Sequence, residues 1–137
     1  MCARILVIED NPTNLELMDY LLKSSGHEVL AALDGAVGLA LAQAKTPDLI
    51  ICDIQLPEMD GFEVARRLKS DDRLRSIPLV AVTAYAMVGD RERMLAAGFD
   101  HYASKPIDPQ VFVAQMEALL RPAAADPTSE PRRPRNE

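Results

Sequence analysis

Residues 49–53 read Leu49-Ile50-Ile51-Cys52-Asp53, an unbroken apolar run that stops on a carboxylate. A strand that is apolar at every position is covered on both faces, the environment of a parallel sheet held between two layers of helices. Two other runs share the pattern, Ile5-Leu6-Val7-Ile8 and Leu79-Val80-Ala81-Val82. Val29-Leu30-Ala31 is a weaker strand, and His101-Tyr102-Ala103 weaker still, as expected at a sheet edge.

Helix-length segments separate these strands. Leu15, Met18 and Leu22 share one face ahead of Gly26, which suits the end of a helix. At the start of that helix either Thr13-x-x-Glu16 forms a capping box or Asn11 caps with Pro12 at the first helical position. Val37, Ala40, Leu41 and Ala44 make a second stripe behind Asp34, and Phe62, Ala65 and Leu68 a third. A fourth helix ends before Gly98, and Asp108-Pro109 opens a fifth with Phe112, Met116, Leu119 and Leu120 inward. Five βα units joined by right-handed crossovers predict an α/β fold, a doubly wound five-stranded parallel sheet with five helices.

The chain has 137 residues, 48% of them hydrophobic and 26% charged, the composition of one globular domain. Its net charge of −6 argues against nucleic acid or an anionic membrane as partner, since phosphate binding needs a clustered positive field. No apolar run reaches the ~18 residues that span a bilayer, and the N-terminus meets Glu9 after a short apolar run, too short for a signal-peptide core. Cys2 and Cys52 offer neither a disulfide framework nor a metal-binding spacing. Cys52 reads as a small buried strand residue, and His27 and His101 as surface histidines. These features predict a cytoplasmic protein. The folded unit is expected over residues 1–121. Residues 122–137 hold four prolines and balanced charges, and read as a disordered tail.

Polar groups collect just after the apolar runs. The first strand ends in Glu9-Asp10, the third in Asp53, the fourth in Thr83 and the fifth in Ser104-Lys105. Ligands of open parallel sheets bind beyond the carboxyl ends of the strands, where strand order reverses. Three carboxylates, a hydroxyl and an ammonium are therefore expected in one crevice. Like charges so close disfavour one another, and either a hard divalent cation such as Mg²⁺ or the Lys105 ammonium would relieve them. A carboxylate beside Mg²⁺, with an ammonium and a hydroxyl at hand, is equipped for phosphoryl transfer, with aspartate as the nucleophile.

These residues carry a resemblance. Ile5-Leu6-Val7-Ile8-Glu9-Asp10-Asn11, Cys52-Asp53-Ile54-Gln55-Leu56-Pro57-Glu58-Met59-Asp60-Gly61, Val82-Thr83-Ala84 and Ser104-Lys105-Pro106 stand in the order and spacing of the receiver domains of bacterial two-component response regulators. The chain resembles that family over residues 3–121, and among short members it is similar to the single-domain DivK type, notably in Asp53-Ile54-Gln55-Leu56-Pro57 and Ala84-Tyr85-Ala86-Met87. The resemblance implies a flavodoxin-like sheet of order 2-1-3-4-5 and a phosphoacceptor at Asp53, charged by a histidine kinase or histidine phosphotransfer protein. It implies Mg²⁺ on the Asp10 and Asp53 carboxylates, the Gln55 backbone carbonyl and, through water, Glu9. Thr83, the Ala84 N–H and Lys105 would meet the phosphoryl oxygens, and Lys105-Pro106 would be a cis peptide. Tyr102 takes the position of the family's switch aromatic, which turns inward as Thr83 moves. Gln55 and Tyr85 occupy positions that tune phosphoryl lifetime.

With little beyond Leu120 but the Pro-rich tail, output is expected through binding to another protein, by way of the fourth helix, fifth strand and fifth helix, with Arg91, Arg93 and Tyr102 among its exposed residues. A phosphate relay or sink is the alternative within the same class. A metal-dependent phosphohydrolase using Asp53 fits less well, because Gln55 stands where such an enzyme places its acid/base aspartate. An unphosphorylated scaffold would have no use for the full set of Glu9, Asp10, Asp53, Thr83 and Lys105.

Overall fold

All five strands run parallel, in the order β2-β1-β3-β4-β5. A computed structural model of the chain describes residues 2–84 and 88–120. In chain order the elements are β1 (Arg4–Ile8), α1 (Pro12–Ser24), β2 (Glu28–Ala32), α2 (Gly35–Lys45), β3 (Leu49–Asp53), α3 (Gly61–Lys69), β4 (Leu79–Thr83), α4 (Val88–Ala97), β5 (His101–Ser104) and α5 (Pro109–Leu120). The chain moves outward from β1 to β2, then crosses back over β1 to β3. The reversal of strand order therefore falls between β1 and β3, the two strands that end in Glu9-Asp10 and Asp53. The segments 85–87 and 121–137, which include Tyr85 and the Pro-rich tail, lie outside the described residues.

Alternation along the strands divides the core into two layers. Leu6, Ile8, Ile50, Cys52 and Ala81 face α2, α3 and α4, together with Val64, Leu68, Met94 and Phe99. Ile5, Val7, Leu49, Ile51, Val80 and Val82 face the other way, onto Met18 and Leu22 of α1 and Phe112 and Met116 of α5. Every residue of β3 and β4 is buried, as their unbroken apolar runs require.

Side chains at the helix starts fix where the chain turns back. Asn11 caps α1, its Oδ1 accepting from the N–H groups of Thr13 at 2.9 Å and Asn14 at 3.2 Å, with Pro12 at the first helical position. The capping box at Thr13 is thus not the one used. Asp34 and Asp60 cap α2 and α3 by accepting from the N–H groups of Val37 and Glu63. A cap of this kind is worth about 1 kcal/mol. Gly26 adopts φ 93° beyond the end of α1, a left-handed conformation that suits glycine.

Two expectations are corrected. The buried face of α2 is Gly35, Gly38 and Ala42, while Val37 of the expected stripe is exposed. Gly38 explains the difference: a Cβ there would lie 2.4 Å from Ile8 Cδ1, so α2 rests on β1 through a position with no side chain to betray it in a hydrophobic pattern. His27 is not at the surface. It is buried, with Nδ1 accepting from the Ala3 N–H at 3.1 Å and Nε2 2.9 Å from Glu117 Oε2, which ties the start of β2 to α5. With Nδ1 occupied as an acceptor, the proton sits on Nε2 and is donated to the Glu117 carboxylate. His101 is half-buried on the edge strand.

Candidate functional site

The carboxyl ends of β1 and β3 bring Glu9, Asp10 and Asp53 together, with carboxylate oxygens of all three within 4.8 Å of one another. Glu9 and Asp53 are buried, and Asp10 is exposed at the mouth. Lys105, arriving from beyond β5, places its Nζ 2.9 Å from Asp53 Oδ2 and 3.3 Å from Glu9 Oε1. The Lys105-Pro106 peptide is cis, as the sequence resemblance implies, and the Lys105 N–H donates to the Thr83 carbonyl at 2.8 Å. Asp53 Oδ1 accepts from the Gln55 N–H at 2.9 Å, so each oxygen of this carboxylate has its own donor.

The charges do not balance within the site. One ammonium faces three carboxyl groups, and burial first, then the neighbouring Asp53 carboxylate, push Glu9 up to about pKa 7 against the pull of the Asn11 N–H and Lys105. Burial works against the Lys105 charge as well, but the hydrogen bond to Asp53 and the two carboxylates outweigh it and hold the ammonium above its ordinary value. Burial, followed by the fields of Asp53 and Glu9, also raises the Cys52 thiol well above the usual thiol range, leaving an inert packing residue.

The raised Glu9 has a measurable consequence in metal-free protein. Its carboxyl holds a proton until about pH 7 when folded but loses it near 4.5 when unfolded. Between these values the native state binds more protons, so this group's contribution to stability is full below 4.5 and is lost as pH rises to about 7. In chelator, Glu9→Gln is expected to gain on wild type by up to about 3 kcal/mol between about pH 5 and about pH 8, read as the difference between denaturation midpoints. Parallel pH profiles for the two proteins would contradict the burial of a strained carboxyl here.

One atom shows that the donor set suits a cation. Glu9 Oε1 is buried and has no hydrogen-bond partner, an acceptor left to an electrostatic neighbour alone. Together with the exposed Asp10 and with Asp53 it forms an all-oxygen, net-negative group open to solvent on one side. That suits a hard divalent ion that keeps some of its water.

The remaining expected residues fall around this cluster in different ways. Thr83 is buried at the end of β4, one position beyond Val82, the register partner of Asp53. It lines a cavity of about 270 Å³ with Ile54, Gln55, Asp60, Arg93 and Met94. Ala84 follows it and is exposed, as is Gln55. Tyr102 is not at the site. It is half-buried on β5, and its hydroxyl accepts from Arg91 Nη2 at 2.8 Å.

Gly61, given no role by the sequence reading, also belongs to the site. A Cβ at Gly61 would stand 2.5 Å from the Asp53 carbonyl oxygen and 2.7 Å from Ile54 Cα, so the start of α3 presses directly on the backbone that carries Asp53. The signal in the sequence is the pair Asp60-Gly61, a cap followed by the smallest residue.

A doubly wound sheet with this acidic cluster at its switch point defines the class. The model of the response regulator receiver domain family matches residues 5–117, and the chain belongs to that family. It is similar to the polar-differentiation response regulator DivK of Brucella anthropi, 44% identical over 120 residues that cover 88% of this chain and 98% of that protein. Among solved structures it resembles the chemotaxis protein CheY4 of Vibrio cholerae, with TM-score 0.83 and 25% identity, covering 87% of this chain and 99% of that one. It also resembles the receiver domain of a sensor histidine kinase from Pseudomonas aeruginosa, solved with a magnesium ion coordinated in its active-site cleft. There the TM-score is 0.77 and the identity 33%, over 88% of this chain and 96% of that one. Among the described residues no helix is long and apolar enough to cross a membrane.

Proposed function

We propose that this chain is a stand-alone response regulator of a two-component phosphorelay, working in the cytoplasm, in which Asp53 accepts a phosphoryl group from a histidine kinase or histidine phosphotransfer protein. The observation that carries this reading is the placement of the Asp53 carboxylate, buried, bonded to Lys105 and within 4.8 Å of Glu9 and Asp10 at the switch point of the sheet. The similarity to DivK over nearly all of that protein's length supports the stand-alone form.

In the proposed transfer an Asp53 carboxylate oxygen attacks phosphorus. The bond from phosphorus to the donor's imidazole nitrogen breaks, the imidazole keeps the electron pair, and an acyl phosphate remains on Asp53. Lys105, already 2.9 Å from this carboxylate, stays to neutralise the oxygens of the new phosphate. The Thr83 hydroxyl and Ala84 N–H, at the end of β4, are the donors assigned to the same oxygens. Asp10, Asp53, the Gln55 carbonyl and, through water, Glu9 would hold Mg²⁺, which supplies countercharge for the incoming phosphoryl group.

Phosphorylation adds about −1.5 to −2 charge at one point. Drawing Thr83 and Lys105 toward that charge biases α4 and β5, and the signal leaves by protein–protein binding on the face of α4, β5 and α5. A cavity of about 460 Å³ opens on this face between β5 and α5, lined by His101, Tyr102, Ser104, Val111 and Gln115.

The test is intact mass after incubation with acetyl phosphate. The wild-type chain is expected to gain one phosphoryl group with Mg²⁺ and none once the metal is chelated. Equal gain in both conditions would remove the acidic cluster from the reaction.

A further inference from the structure

The contact between Arg91 and Tyr102 ties two elements of the proposed switch together. Register pairs Ala81 with Tyr102 and Thr83 with Ser104, so Thr83 and Tyr102 sit diagonally on the same face of the sheet, the one covered by α4. The residue directly across from Tyr102 is only an alanine. Tyr102 therefore has a small neighbour on β4, and two cavities flank it. One is the cavity of about 460 Å³ toward α5, and the other, of about 290 Å³, is lined by Met94, Leu95 and Phe99 toward α4. Packing leaves the ring room to move.

Among the described residues, the side chain that grips it is Arg91. Nη2 donates to the Tyr102 hydroxyl at 2.8 Å, and the guanidinium carbon lies 5.2 Å from the ring centroid, so one side chain grips both the polar tip and the π face. Arg91 is exposed and lines both cavities. It is the side chain that must let go before the ring enters either space.

We propose that Arg91 is a latch, a positioning residue that holds Tyr102 in its half-exposed place and so sets how readily the unphosphorylated chain takes the switched conformation. This rests on the reading of Tyr102 as the switch residue given above. In a two-state switch, a contact made only in the resting state lowers the population of the other by its own free energy. Releasing an exposed cation–ring contact with its hydrogen bond should raise that population about five-fold.

The experiment follows the Tyr102 ring by NMR in protein with ¹³C-labelled tyrosine rings, the signal being assigned by its loss in Tyr102→Phe. Beryllofluoride with Mg²⁺ serves as the acyl-phosphate mimic. In wild type the signal is expected to shift on adding the mimic. In Arg91→Ala without the mimic it is expected part-way along that shift, with uptake from acetyl phosphate about five-fold faster. Arg91→Lys, which keeps the charge but loses the planar fork, should fall between the two. Arg91→Ala with the wild-type signal and rate, in a protein whose Tyr102 does respond to the mimic, overturns the latch alone. A wild-type Tyr102 that ignores the mimic overturns the switch reading and the latch with it. Because Arg91 lies at the surface, its removal leaves the core unchanged, and the response to the mimic reports on folding in the same sample.

Discussion

Asp53→Asn is expected to take up no phosphoryl group from acetyl phosphate and Mg²⁺, while remaining folded. The amide nearly matches the carboxylate in shape and can still accept from the Gln55 N–H, so the β3 end has no steric cause to move. It removes the nucleophile, and loss of a covalent nucleophile costs on the order of a thousandfold or more in rate. It also removes a negative charge from a crowded site. Asp53 helps push Glu9 upward and is the closer of the two carboxylates on Lys105, so its neutralisation should let Glu9 ionise at lower pH and draw Lys105 toward it. The variant should accordingly be at least as stable as wild type in chelator at neutral pH. Undiminished uptake by the variant would mean that another residue receives the phosphoryl group.

The second large effect is expected at Gly61, where the change adds a single methyl group. The Cβ of Gly61→Ala would meet backbone at 2.5 and 2.7 Å, and backbone cannot rotate out of the way as a flexible side chain can. Either α3 retreats, straining the bond from the Gly61 N–H to the Ile54 carbonyl, or the end of β3 retreats and carries Asp53 from Lys105. Overpacking of this kind costs about 1–3 kcal/mol, occasionally more, and with backbone on both sides the upper part of that range is expected. The fall should show as a lower urea midpoint with an unchanged slope, together with slower phosphoryl uptake. A variant with wild-type midpoint and wild-type uptake would show that the contact between α3 and β3 is looser than its geometry.

Much of this architecture was written locally. The strands announce themselves because parallel strands are apolar throughout, and the site because polar residues that interrupt such runs fall at strand ends, which the topology gathers at one edge. Asp53 at the end of Leu49-Ile50-Ile51-Cys52 needs no partner in sequence to be noticed. The features that were missed depend on what lies across the fold. The buried face of α2 is carried by Gly35 and Gly38, whose value is the absence of a side chain beside Ile8. His27 is buried because of the Ala3 N–H, 24 residues away, and Glu117, 90 residues away, neither of which forms a spacing with it. The grip of Arg91 on Tyr102 requires α4 to be laid over β5, which no periodicity reports.

In the proposed function one carboxylate, Asp53, carries the phosphoryl group. The most direct measurement is to treat the wild-type chain with acetyl phosphate and Mg²⁺, reduce the acyl phosphate with borohydride, and locate the resulting homoserine by peptide mass spectrometry. Homoserine is expected at Asp53, with Glu9 and Asp10 unmodified. Reduction at either of those residues, or none at Asp53 in protein that has gained the phosphoryl mass, would contradict it.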